Sequence, residues 1–162
     1  MDLLYRIGYR GAYRLLQAWW WWRRPQGHGA AIAAWDGDRL LVVRTSYRRT
    51  VDLPGGGIEG AETALAAAVR ELREETGVEA PADELVDAGT FHFEENNRQI
   101  AAQVFEWRPG RAMPPAADNR EIVWAGYMSR DQLRREPQVA LLALYLAASG
   151  PARAAAAQLP SG

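Results

Sequence analysis

Residues 54–78 run Pro54-Gly55-Gly56-Gly57-Ile58-Glu59-Gly60-Ala61-Glu62 and then, past an alanine-rich stretch, Arg70-Glu71-Leu72-Arg73-Glu74-Glu75-Thr76-Gly77-Val78. The glycines open dihedrals closed to other residues and let one backbone approach another closely. Behind them the spacing predicts a helix over 62–76. Leu65, Val69 and Leu72 form its core stripe, and Gly77 stops it. Glu71, Glu74 and Glu75 stand at i, i+3 and i+4, so their carboxylates leave one helix face. At that spacing like charges destabilise a helix by roughly a few tenths of a kcal/mol per pair. Arg70 and Arg73 offset part of this, and a divalent cation would offset more. Three glutamates alone read first as a solvated face with ion pairs. The glycine loop that delivers the chain straight into them is what points to a site.

Upstream, the apolar runs Ala30–Trp35 and Leu40–Arg44 flank Asp36-Gly37-Asp38, a hairpin signal. Downstream, Glu84–Phe93 and Gln99–Trp107 read as strands around a polar turn, Glu94–Arg98. Pro109–Asn119 is a loop rich in proline and alanine, and Ile122–Met128 a further short strand. Ser129 caps a short helix with Gln132 completing a capping box, and Pro137 opens a last apolar helix through Ala148. Residues 3–22 read as an amphipathic helix, with Arg6, Arg10 and Arg14 opposite Leu4, Ile7, Leu15, Trp19 and Trp22. Pro25 closes that segment. The chain thus divides into an extension (1–25), one domain (26–150) and an alanine-rich tail (151–162) expected to be loosely ordered. Periodicity alone supports a single α/β or α+β domain.

Composition sets outer bounds. Apolar residues make up 48% and charged residues 24% of 162 residues, a globular balance, and the formal net charge of −1 offers no global attraction for nucleic acid. The absence of cysteine excludes disulfides, thiolate nucleophiles and zinc–thiolate sites, and is compatible with a reducing cytoplasm. Only His28 and His92 are histidines, so any metal site is mainly oxygen-ligated and suits a hard ion such as magnesium or manganese. No stretch reaches the roughly 18 apolar residues that a spanning helix needs. Arginines interrupt the N-terminal apolar run, so a signal peptide is not expected.

The spacing of Gly56, Glu62, Arg70, Glu71, Leu72, Glu74, Glu75, Gly77 and Val78 resembles the signature of the Nudix hydrolase family at all nine specified positions over 23 residues. One neighbouring turn departs from the usual pattern, with Glu59-Gly60-Ala61-Glu62 standing for Glu-Pro-Gly-Glu. The resemblance implies an α/β/α sandwich around a mixed sheet, carrying the N-terminal helix as an addition. It implies a magnesium- or manganese-dependent pyrophosphohydrolase that cleaves a nucleoside diphosphate linked to another group. Glu71, Glu74 and Glu75 would be the metal ligands, assisted by the Gly56 carbonyl. Arg70 would orient them, and Glu59 and Glu62 would support the loop. A further glutamate from outside the signature is expected as ligand or base. Glu121 is chosen because it precedes the strand that passes the site in similar proteins; Glu94, Glu95 and Glu106 are its rivals. The other reading is a Nudix-fold module that binds a nucleotide without cutting it. The intact charged positions favour catalysis.

Which group hangs from the diphosphate is less legible. Arg44, Tyr47, Arg48, Arg49, His92, Phe93, Arg98 and Trp124 are candidates for stacking on a base or forking onto phosphate, against core packing for the aromatics and solvated strand ends for the arginines. The proline and tyrosine that mark two subfamilies beyond the signature are missing from His92-Phe93-Glu94-Glu95, and no coenzyme A marker precedes it. A nucleoside triphosphate or a nucleotide-sugar is left. The expected partner is therefore a small nucleotide derivative, and the expected place the cytoplasm. For residues 3–22 the favoured reading is packing on the domain or on a second subunit as a homodimer. Weak contact with a membrane surface is the alternative.

Overall fold

The computed structural model describes residues 27–95, 98–111, 113–117 and 121–149. The expected helix over 3–22 and the tail after residue 150 lie outside them, as do Asn119 and Arg120. Strands β1 (Gly27–Asp36) and β2 (Arg39–Thr45) form the expected hairpin, with Gly37 at φ +59° in the turn. Then come β3 (Val51–Asp52), β4 (Gly55–Gly57), helix α1 (Ala64–Thr76) and a 3-10 turn at Ala82–Glu84. The chain continues through β5 (Val86–Glu95), β6 (Arg98–Trp107), β7 (Ile122–Ser129), α2 (Arg130–Leu133) and α3 (Ala140–Ala148). Among the described residues no helix is long and apolar enough to cross a membrane.

The sheet has seven strands with a main order β3-β2-β1-β6-β5. β1 and β6 run parallel and every other named pairing is antiparallel, so the sheet is mixed, as expected. Successive residues of β1 serve opposite faces, as the two-residue repeat of a strand requires. Ala31, Ala33 and Trp35 join Leu142 and Tyr145 of α3 in one core. Ala30, Ile32 and Ala34 join Ala67, Ala68 and Leu72 of α1 in the other. A strand covered on both faces reads as one continuous apolar run, which is what 30–35 does.

β1 forks at its free edge. Gly29–Ala31 pair with β4, whereas only Trp35 and Asp36 pair with β2, which turns away to pair with β3 and β7. A cleft opens between the branches.

Several boundaries differ from the sequence reading. Helix α1 starts at Ala64 and not Glu62, because the Thr63 hydroxyl caps it by accepting from the Ala66 amide at 3.1 Å. Its fully buried positions are Ala67, Ala68, Leu72 and Thr76, while Leu65 and Val69 only flank that core. The last helix begins at Ala140. Residues 137–139 are extended against β3, with the Val51 amide donating to Pro137 O at 2.9 Å and the Val139 amide to Val51 O at 3.2 Å. The strand expected over 84–93 is displaced two residues onward, because Glu84 ends a 3-10 turn and its carboxylate accepts from Trp107 Nε1 at 2.9 Å.

Candidate functional site

The glycine cluster and helix α1 meet at the fork. Gly55 sits so close to β1 that a Cβ there would lie 2.5 Å from Ala30 O, and a Cβ at Gly56 would collide with the Glu71 carboxylate. Both glycines are therefore required sterically. The Gly55 amide donates to Glu75 Oε2 at 3.0 Å, which fixes the other inward carboxylate.

The three expected ligands do not share one environment. Glu71 and Glu75 follow the Ala67/Ala68/Leu72 edge of α1 towards the sheet, whereas Glu74 falls on the outer side with its side chain 53% exposed. Burial pushes the Glu71 carboxyl up, outweighing its hydrogen bond from Arg70. Burial pushes Glu75 well above its ordinary value against the pull of the Gly55 amide, and the charges of Glu71, Asp52 and Glu121 add to the rise. Arg70 is the counterweight. It donates to Glu71 Oε1 and Glu62 Oε1 at 2.8 Å each, to Gly57 O at 3.1 Å, and more distantly to Glu74 Oε2 at 3.4 Å. The Arg70 hydrogen bond holds Glu62 below its ordinary value, and Glu62 in turn raises Arg70. Glu62 also accepts from the Glu59 amide at 2.7 Å, bracing the turn that carries Gly60 at φ +54°.

A hard cation fits this donor set in kind. All available groups are oxygens, and the buried carboxylates raise one another's affinity for a positive charge. They are spread and not gathered: among the described residues no three acidic or histidine side chains converge on one point. Glu71 and Glu74 both turn to Arg70. The exposed Glu74 has only its long Arg70 contact to give up.

A cleft of 330 Å³ extends from Gly56 and Glu75 across the fork. Of the candidates read from sequence, Tyr47, Phe93, Arg98 and Glu121 line it, as does Arg48. Tyr47 does not face the cleft as a free ring: its hydroxyl donates to Glu121 Oε1 at 2.9 Å, and the Ser46 amide donates to Glu121 O at 2.8 Å. Arg44, Arg49 and Trp124 are outside the lining. Arg44 pairs with Glu136 at 2.9 Å and lies over the Trp124 ring, Trp124 is 36% exposed, and Arg49 is exposed. Strand parity sorts the rest. Phe93 and Glu95 of β5 line the cleft, while His92 and Glu94 alternate outward to exposed positions. Glu95 pairs with Arg48 at 2.5 Å, Glu94 accepts from Gln99 at 3.2 Å, and Glu106 accepts from Tyr145 at 2.7 Å in the core beneath α3. Only Glu95 among the three rivals of Glu121 reaches the cleft.

Sequence reading missed Asp52. It is deep in the fold, and the little surface it keeps lies in the cleft. Its Oδ1 accepts from the Leu53 amide at 2.7 Å. Burial first, and then the Glu95 charge, push its carboxyl up to about 7 against the Leu53 amide and the Arg48 charge. One aspartate ahead of a proline looks like turn chemistry in a sequence, and nothing there marks it as buried. Gly27 and Gly29 were missed likewise, since bare strand positions carry no chemical flag.

The family profile of the NUDIX domain matches residues 25–147. The chain is 32% identical over 96 residues to a MutT-like protein of Streptomyces ambofaciens, covering 59% of this chain and 60% of that relative, under two thirds of its length. A MutT NUDIX hydrolase from Burkholderia pseudomallei superposes with a TM-score of 0.69 at 18% identity, covering 78% of this chain and 99% of that one. A bifunctional NMN adenylyltransferase/ADP ribose pyrophosphatase from Francisella tularensis, solved with AMP and a manganese ion, gives 0.68 at 16% identity over 87% of this chain and 48% of that one. At such identities the two structures speak for the fold. The profile match spans most of the chain, and the signature that it shares sits where β4 meets α1: the chain belongs to the NUDIX family of hydrolases.

Proposed function

We propose that the protein is a divalent-metal-dependent pyrophosphohydrolase acting on a nucleoside diphosphate linked to a further group. The observation that carries this reading is the pair Glu71 and Glu75, half-buried and braced by Arg70 and the Gly55 amide, with Glu75 lining the cleft and Glu71 set against Gly56 beside it. Carboxylates are not kept half-desolvated beside one another without a compensating cation or a chemical task.

Glu71, Glu74 and Glu75, with the Gly56 carbonyl, are the residues that would hold magnesium or manganese. Such an ion, when bound, neutralises charge on the phosphate oxygens. Arg70 keeps Glu71 aimed at the glycine loop and prevents the acidic face from splaying. Glu121, steadied by the Tyr47 hydroxyl, would accept the proton of an attacking water. The water oxygen forms a bond to phosphorus and the anhydride P–O bond breaks. The leaving phosphate keeps the electron pair. The products are a nucleoside monophosphate and a second phosphate-bearing fragment. Phe93 and Arg98 line the cleft and are assigned to the substrate.

Glu75→Gln keeps the shape and the hydrogen bond from Gly55 while removing the charge. It is expected to abolish release of nucleoside monophosphate from a panel of nucleoside triphosphates and nucleotide-sugars, assayed with magnesium and with manganese, at unchanged melting temperature or higher. Turnover near that of the wild type would remove Glu75 from the site, and a wild type that hydrolyses nothing on the panel would leave the non-catalytic binding module as the reading.

A further inference from the structure

The end of the cleft away from Glu71 has its own chemistry. Cross-strand register lays its floor out in rows: Phe93, Ile100 and Gly27 in one, Ala102 and Gly29 in the next. Bulk therefore falls from a phenyl wall on β5 to bare backbone on β1. Gly29 also lies under the glycine loop, where a Cβ would come 3.1 Å from Gly56 O. Arg98 reaches across the first row, 2.9 Å from where a Gly27 Cβ would be. The result is a flat apolar shelf with one aromatic side.

The charged groups around this shelf are Asp52, Glu95, Arg48 and Arg98, with Glu95 and Arg48 already paired. Two carboxyl groups stand against two guanidinium groups, so this end carries no excess of positive charge to draw a further phosphate. It favours an uncharged group that offers hydrogen-bond donors. Asp52 is suited to read one. Its Oδ1 already serves the Leu53 amide, its surroundings include Val43, Leu53, Val139 and Leu141, and its accessible surface faces the cleft. A donor lying there meets an acceptor with little competition from water.

We propose that Asp52, backed by the Arg48–Glu95 pair, is the specificity-determining residue of the cleft, accepting a hydrogen bond from the edge of a nucleobase that lies on the Gly27–Gly29–Ala31 shelf. A flat ring matches the shelf and the Phe93 wall. A sugar would set its hydroxyls against CH surface and leave most of them unpaired. This inference rests on the hydrolase reading for what the nucleobase is attached to, though its test does not need turnover.

Binding of adenosine, guanosine, cytidine, uridine and ribose is measured by NMR titration without metal, following the amides of Gly27 and Gly29. At least one nucleoside is expected to bind about tenfold more tightly than ribose, since a site built around a hydrogen bond rejects molecules that cannot make it. Asp52→Asn exchanges part of the acceptor for a donor and is expected to reorder the four nucleosides by about tenfold while leaving ribose unchanged. Glu95→Gln, measured beside it, is expected to shift the same order less, and keeps the test open should the first variant not fold. The proposal is overturned if no nucleoside moves the two amides, if ribose binds as well as the nucleosides, or if folded variants weaken all ligands by one common factor. Nucleoside binding in a wild type that hydrolyses nothing would refute the proposed reaction and leave this inference standing.

Discussion

Gly56 and Arg70 show how little freedom the site leaves at single positions. A methyl at residue 56 would enter the space held by the Glu71 carboxylate, so Gly56→Ala is expected to displace that carboxylate and cut kcat/KM by roughly 10- to 100-fold, the usual cost of disturbing what orients a metal ligand. Steady-state kinetics with melting temperature as the fold control would check it. Arg70→Lys should lose a comparable factor, because a single ammonium cannot reach Glu62, Glu71 and Gly57 O together as the forked guanidinium does. Retention of full activity in that variant would mean that Glu71 needs no external brace. Asp52 gives a pH test. Its carboxyl is raised to about 7 from an ordinary 3.8, so between those values the folded protein holds a proton that the unfolded chain has released. Stability due to this group is therefore present at acid pH and is lost as pH rises towards 7 and above, by up to about 4 kcal/mol at about 1.4 kcal/mol per pH unit. The stability gained by Asp52→Asn, from urea unfolding, should grow between pH 4 and 7 and level off by pH 8. A gain that stays flat over that range would show that Asp52 is not desolvated.

At the scale of elements, what could be read from sequence followed local rules. The Ser129–Gln132 capping box forms with both bonds in place, Gly77 ends α1 at φ +67°, and the hairpin turns at Gly37. Each is settled by a few adjacent residues. The misplaced boundaries were decided by partners far along the chain. Pro137 looked like a helix start, yet residues 137–139 spend their backbone groups on Val51. The stripe of α1 was assigned to its large residues, whereas the sheet takes Ala67 and Ala68, and that rotation separates Glu74 from Glu71 and Glu75. Trp35 and Tyr145 illustrate a tie that no local pattern announces. Trp35 Nε1 donates to the Tyr145 hydroxyl at 2.8 Å, which donates to Glu106 at 2.7 Å, joining β1, α3 and β6 inside the core. Tyr145→Phe should strand both partners and cost about 1–3 kcal/mol in chemical denaturation. A loss below half of that would indicate that water replaces the hydroxyl.

For the whole molecule, the fork of β1 explains why half of the site was visible beforehand and half was not. One branch carries the signature, compact in sequence, so Gly56, Arg70, Glu71 and Glu75 could be named from their resemblance to the Nudix signature. The other wall is assembled from β2, β3, β5 and β6, and which side chains face inward depends on register and parity across strands far apart in the chain. That is why the bond from Tyr47 to Glu121 was not foreseen, why Arg44 and Trp124 were drawn in from outside, and why Asp52 was passed over. The same architecture sets Asp52, Glu75, Glu95 and Glu121 against one cleft with Glu71 behind Gly56, and Asp52, Glu71 and Glu75 are each held above the ordinary value chiefly by burial. Emptying such a cluster of protons costs stability, and binding a cation there returns it, since anything that binds only the folded state stabilises by mass action. The protection is therefore expected to depend on pH. Magnesium at saturating concentration should raise the melting temperature more at pH 8 than at pH 5.5, because the upward shift of these carboxyl groups lets protons compete for the same oxygens as pH falls. Glu75→Gln should lose most of the increment at pH 8. An equal magnesium shift at both pH values, or one that survives in Glu75→Gln, would place the cation on surface carboxylates away from the fork.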